Sequence, residues 1–148
     1  MRSLVLPAAL IIGALIAACG STGEGGDLEI TLTEWSVETD VDTLPEGPIT
    51  FDITNDGERE HELLIVRTDI PAAELPANED GSFDEDAGGV DVEREIEDIE
   101  SGDEASRSYT LDPGSYVLLC NIVEEIDGTE TSHFAEGMWA PFTVTEDD

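Results

Sequence analysis

The chain has 148 residues, a length that suits one folded domain with its own core. It carries 37 acidic residues against five arginines and no lysine, for a formal net charge of −32. Nucleic acid is excluded as a partner, because binding it relies on Lys and Arg to neutralise phosphates. A hydrophobic content of 39% also excludes a disordered acidic tail. Such a charge repels itself unless salt screens it, which indicates a saline habitat or a lineage bias toward acids.

Residues 1–19 have the pattern of an export signal and not of a folded element. Arg2 precedes an apolar run over residues 4–15, which is too short to span a bilayer. The run ends in IAACG, which resembles a bacterial lipoprotein signal, in which the Cys19 thiol becomes lipidated. We therefore expect an exported protein, anchored by lipid to the outer face of the bacterial cell membrane, periplasmic or extracellular. An ordinary secretory signal with an incidental cysteine is the alternative.

The next residues, 20–27, begin with GSTGEGG and predict a flexible linker, followed by one domain over residues 28–146. Strand-like alternation begins at Leu28 and continues toward Val37, with Trp35 expected in the core. Residues 49–54 alternate again and end in the turn sequence NDG.

A continuous apolar run over residues 63–66 predicts a buried strand with His61 at its start. Residues 69–104 are rich in acids, and we expect one helical turn near residues 70–75 and a solvated loop over residues 79–89. Whether Val92, Ile96 and Ile99 lie on an edge strand or on a turn of helix stays open.

The remaining strands are predicted at residues 106–111, 116–120 and 139–144. The sequence DPG at residues 112–114 predicts a hairpin turn between the first two, and Pro141 places the last strand at an edge or a bulge. About seven short strands with little helix indicate an all-β sandwich.

The soft metal ligands of the chain form a small and complete set. Met1 is the initiator and Cys19 the lipid attachment point, which leaves Cys120, Met138, His61 and His133. A copper site of the His2Cys type with a weak axial Met needs these residues and no others. An unpaired thiol in an oxidising compartment is also consistent with a metal ligand. Zinc could use the same ligands, although zinc sites seldom include Met. No calcium-binding spacing is present among the acids.

Three sequence motifs resemble those of the cupredoxins, the small blue-copper β-sandwiches such as plastocyanin and sulfocyanin. The first motif is LDPGSYVLLC (residues 111–120), which is similar to the segment that delivers the copper thiolate. The second is HFAEGM (residues 133–138), which is similar to the segment with the second His and the axial Met. The third is NDG followed by His61, which is similar to the corner with the first His. The resemblance implies a Greek-key sandwich with type 1 copper bound by His61, Cys120, His133 and Met138.

Two features depart from the family. Twelve residues separate Cys120 from His133, where two to four are usual in the family, and the extra piece reads as an insertion over residues 123–132. Closing a longer loop costs only about 0.6 kcal/mol per doubling, so the site stays possible. The acids of the insertion are expected to favour Cu(II) if they lie near the metal. The residue after the first His is Glu62, where many members have Asn.

The resemblance implies a one-electron carrier and not an enzyme. We expect a monomer, and the acid-rich surface indicates a redox partner with a basic docking face. A copper carrier that delivers the metal to an oxidase, or a metal-free binding module, are the alternatives.

Overall fold

The computed structural model describes residues 23–147, and the predicted signal and Cys19 lie outside the described residues. Eleven strands and one short 3₁₀ helix follow one another within these described residues. Their bounds are β1 Gly26–Thr33, β2 Ser36–Thr39, β3 Thr43–Pro45, β4 Gly47–Asn55, β5 His61–Thr68, the 3₁₀ helix Ala72–Glu74, β6 Val90–Ile99, β7 Glu104–Leu111, β8 Gly114–Leu119, β9 Val123–Ile126, β10 Thr129–Ser132 and β11 Trp139–Thr145.

Two sheets form the sandwich, and a hairpin lies beside them. The first sheet has the order β2-β1-β4-β7, the second has the order β3-β11-β8-β5-β6, and β9 pairs with β10 alone. The predicted all-β sandwich is therefore confirmed. The strand count is higher than about seven because short edge strands and the inserted hairpin add to it.

The main core lies between the sheets and follows from the period of two in the strands. On β4, for example, Ile49, Phe51 and Ile53 are buried while the residues between them face outward. The central strands β5 and β8 contribute Leu63 and Leu118 to the same core.

A second cluster covers the opposite face of β5 and β8, so these two strands are buried on both sides. Leu64 and Val117 pack there against Leu75 and Phe83 of the acidic region. The prediction of a solvated loop over residues 79–89 is thus correct for most of its side chains. Phe83, however, is buried and attaches the loop to the sheet. The predicted helical turn is present as the 3₁₀ helix, and the open question over residues 92–99 is answered by the edge strand β6.

Two predictions about the start of the domain were wrong. The first strand does not continue to Val37, because the chain reverses at Glu34 and Trp35 and β2 pairs back along β1. The predicted linker is partly sheet, since Gly26 and Asp27 pair with β4. The backbone N–H of Gly25 also donates to the carbonyl of Glu46, which ties the chain down before β1 begins.

The DPG sequence forms a corner and not a hairpin. Strand β7 pairs with β4 in one sheet, whereas β8 pairs with β5 and β11 in the other. The hydroxyl of Tyr116 donates to the carbonyl of Asp112 at 2.7 Å, which fastens this corner. Crossing between the sheets places β8, and the cysteine that follows it, in the middle of the second sheet. β11 is not an edge strand, because it lies between β3 and β8, but β3 pairs only with residues 143–145 and leaves one side of Pro141 unpaired.

Candidate metal centre

Cys120 follows directly on β8, with its side chain on the inner face of the sandwich. It is fully buried and packs in the main core. Its backbone N–H donates to the carbonyl of Met138 at 3.1 Å. Its Sγ accepts the backbone N–H of Glu62 at 3.5 Å. These two bonds fix the thiol relative to the segments that contain Met138 and Glu62.

His61 is the first residue of β5, and the corner before it is held by Asn55. The Asn55 amide donates to the carbonyls of Arg59 and Ile99 at 2.7 and 2.8 Å, and its oxygen accepts the N–H of Gly57 at 2.9 Å. A Cβ on Gly57 would lie 2.5 Å from Oε1 of Glu34 and 3.0 Å from Nε2 of His61, so any larger residue would displace these side chains. The imidazole of His61 is fully buried.

His133 and Met138 lie at the two ends of the turn before β11. The N–H of His133 donates to the carbonyl of Ile122 at 2.9 Å, and the N–H of Met138 donates to the carbonyl of His133 at 3.1 Å. Gly137 has a φ of 105°, a conformation that favours glycine and closes the turn. Both His133 and Met138 are fully buried.

Three donor atoms therefore converge inside the protein. Nδ1 of His133 lies 3.3 Å from Sγ of Cys120 and 3.3 Å from Nδ1 of His61, and Nδ1 of His61 lies 4.0 Å from the sulfur. Imidazole nitrogens and thiolates lie about 2.0–2.3 Å from an ion such as zinc, so donors at these separations can share one ion. The predicted residues His61, Cys120 and His133 thus form a buried group that could hold a metal ion, and its donor types are those of a His2Cys set.

Burial controls the protonation of the groups at this point. It raises the pKa of the Cys120 thiol to about 12, although the N–H of Glu62 works in the opposite direction. Burial and the nearby His133 lower the pKa of His61, which favours its neutral form. The metal-free centre therefore holds a thiol and a neutral His61, and a bound cation would have to displace the thiol proton.

Glu62 bridges the two ligand segments where many cupredoxins have Asn. Its carboxylate accepts the N–H of Asn121 at 3.1 Å, next to the cysteine. Burial raises the pKa of Glu62 to about 7, even though the Asn121 N–H lowers it. The substitution therefore keeps a bond to the cysteine loop.

The insertion is a hairpin with Asp127 and Gly128 at its turn. Of its four acids, Glu124 faces a ligand, with Oε1 2.8 Å from Nε2 of His133. Glu125, Asp127 and Glu130 are exposed. Glu124 is therefore the acid of the insertion that lies beside one of the predicted ligands.

Sequence reasoning missed two residues in the turn between β1 and β2. Glu34 places Oε1 3.1 Å from Nε2 of His61. Trp35, which was expected in the core, is only partly buried, and its ring meets His133 edge-on with the centroids 4.9 Å apart. The alternation of apolar and polar residues around Glu34 and Trp35 is that of a continuing strand. Only the reversal of the chain brings these two residues to the candidate metal centre.

Comparison with solved structures shows that the chain has the cupredoxin fold. Reduced auracyanin from Roseiflexus castenholzii is 22% identical with a TM-score of 0.54, over 81% of this chain and 96% of that one. Rusticyanin from Thiobacillus ferrooxidans is 14% identical with a TM-score of 0.55, over 82% and 79%. Auracyanin A from Chloroflexus aurantiacus, a "blue" copper protein, is 18% identical with a TM-score of 0.51, over 82% and 100%. No family model and no curated protein matches the chain.

Within residues 23–147, none of the helices has the length and apolar character that crossing a bilayer requires.

The raised pKa of Cys120 predicts an unreactive thiol in the metal-free protein. With the chain from residue 20 onward, iodoacetamide at neutral pH should label Cys120 about a hundredfold or more slowly in buffer than in urea, where the thiol regains its ordinary pKa of about 8.5. Mass spectrometry of timed samples measures both rates. Equal rates in buffer and in urea would show that the site is open.

Proposed function

We propose that the chain is a type 1 copper protein that carries single electrons and is not an enzyme. The observation that supports this most strongly is the convergence of two Nδ1 atoms and one Sγ at a single buried point. The donors come from the start of β5, the end of β8 and the turn before β11. Bound copper would supply one Cu(II)/Cu(I) couple, with His61, Cys120 and His133 as ligands and Met138 as a weak fourth ligand.

The protein contributes rigidity to such a couple. Cys120 is hydrogen-bonded to the backbone of Met138 and of Glu62, and the Asn55 side chain fixes the corner that precedes His61. Side chains packed in a dense core resist displacement. The donors are therefore held in one arrangement while the charge of the metal changes, which keeps the reorganisation that opposes electron transfer small.

The burial of all three donors favours electron transfer over copper delivery. A protein that hands copper to another must expose its ligands to the acceptor, whereas His61, Cys120 and His133 are each 0% exposed. A metal-free binding module would have no need for a buried thiol beside two imidazoles.

The proposal predicts an intense visible absorption band from thiolate-to-copper charge transfer when Cu(II) is added to the metal-free protein. The band should disappear in Cys120→Ser, and the wild-type colour should bleach and return on one-electron reduction and reoxidation. Spectroelectrochemistry measures both. Asp127→Asn, on the exposed turn of the hairpin, is the control and should keep the band. Tight zinc binding without a visible copper band would contradict the proposal.

The acidic surface supports a redox partner with a basic docking face, met by a monomeric carrier. A net charge of −32 attracts cations at long range, and salt screens that attraction.

Two small oxidants of opposite charge test the surface directly. Oxidation of the Cu(I) protein by a cationic ruthenium ammine should slow as salt is added, and oxidation by anionic ferricyanide should become faster. Stopped-flow traces of the visible band give both rates. Equal salt dependence for the two oxidants would show that the charge does not act near the copper.

We further propose that lipid on Cys19 anchors the carrier at the outer face of the cell membrane. Support comes from the lipoprotein-like sequence that ends at Cys19. In a bacterial host, the full chain should fractionate with membranes and Cys19→Ser should not. A soluble wild-type chain would contradict the anchor.

A further inference from the structure

Both ligand histidines have their outward nitrogen occupied by a carboxylate. Glu34 meets Nε2 of His61 at 3.1 Å, and Glu124 meets Nε2 of His133 at 2.8 Å. The two glutamates come from distant parts of the chain, the β1–β2 turn and the inserted hairpin. The imidazoles are fully buried, whereas the glutamate side chains are 26% and 31% exposed, so water reaches the carboxylates but not the rings.

Arg59 connects the two carboxylates. Its backbone N–H donates to Oε1 of Glu34 at 3.0 Å, and the N–H of Glu58 donates to both oxygens of Glu34, at 3.0 and 3.1 Å. The Arg59 guanidinium donates to Oε2 of Glu124 at 3.1 Å. Glu34 is therefore held by the main chain of the corner, and Glu124 by a side chain from the same corner.

Both oxygens of Glu34 already accept backbone N–H groups, and Oε2 of Glu124 already accepts the Arg59 guanidinium. Carboxylates held by donors in this way act as acceptors, so the proton of each facing imidazole belongs on Nε2. In the neutral imidazole, Nδ1 then keeps its lone pair. Both Nδ1 atoms face the point where Sγ of Cys120 also lies.

We propose that Glu34 and Glu124, joined through Arg59, are positioning residues that hold both histidines with Nδ1 toward the copper and make the centre favour Cu(II). This inference rests on the proposed function. Hydrogen bonds of this kind fix the ring orientation and make the ligand nitrogen more basic. Two partly buried negative charges beside the ligands also favour the more positive ion.

The positioning part can be tested without any metal. In the metal-free protein, nitrogen-15 NMR distinguishes imidazoles protonated on Nε2 from those protonated on Nδ1. Both histidines should carry the proton on Nε2. In Glu124→Ala, His133 should lose this preference while His61 keeps it, and Arg59→Ala should change His133 in the same direction.

Two controls separate positioning from general effects. Glu125→Ala removes an exposed acid from the same hairpin, and Arg107→Ala removes an exposed arginine from β7. Neither should change the protonation of His61 or His133. An unchanged His133 in Glu124→Ala, with a folded spectrum, would overturn the positioning role.

The charge part is tested on the copper-loaded protein with a glutamine in place of each glutamate. Glu124→Gln and Glu34→Gln keep an oxygen that can accept the bond but remove the charge, so each should raise the reduction potential. Glu125→Gln should raise it less than either. In Glu124→Ala, which loses the bond as well, affinity for Cu(II) should fall about 10- to 100-fold in a chelator competition.

The outcomes distinguish this inference from the proposed function. Should Glu125→Gln raise the potential as much as Glu124→Gln, the effect is only that of overall charge and the inference is wrong. A protein without a blue band would contradict the proposed function, while the NMR result would still confirm or refute the orientation of the histidines.

Discussion

The structure depends on bringing a thiol and two imidazoles together where water cannot reach them. Burying polar groups without partners costs several kcal/mol, so each donor must be compensated by a bond or by a cation. In this chain the outward nitrogens face Glu34 and Glu124, and the sulfur accepts the backbone N–H of Glu62. The inward Nδ1 atoms and the sulfur are left facing one another. That arrangement suits a metal ion and little else.

The sandwich supplies the rigidity that this arrangement requires. The strands that carry His61 and lead to Cys120, β5 and β8, are neighbours in the second sheet and are buried on both faces. The outer cover comes from the acidic region, through Leu75 and Phe83. A segment that reads as solvent-exposed loop therefore contributes to the core on the outer face of β5 and β8. Its charged residues remain at the surface, where salt screens their repulsion.

The fold class and the three converging donors could be predicted because they depend on local patterns. Alternation marks β4 and a continuous apolar run marks β5, and the ligand motifs contain their own turns, such as Gly57 and Gly137. What could not be predicted depends on how distant segments meet. The reversal after β1 brings Glu34 and Trp35 to the centre, and nothing in their local sequence indicates it. The DPG corner likewise has the sequence of a hairpin, and only the pairing of β7 with β4 shows that it crosses between sheets.

X-ray absorption at the copper edge, recorded on the Cu(II) and the Cu(I) protein, tests the central claim most directly. A centre already shaped by the fold should show two imidazole nitrogens and one sulfur around the metal in both states, at nearly equal distances. Loss of the sulfur, or a change in the number of nitrogens between the two states, would show that the long loop between Cys120 and His133 lets the site rearrange. In that case the rigid centre described here would be wrong.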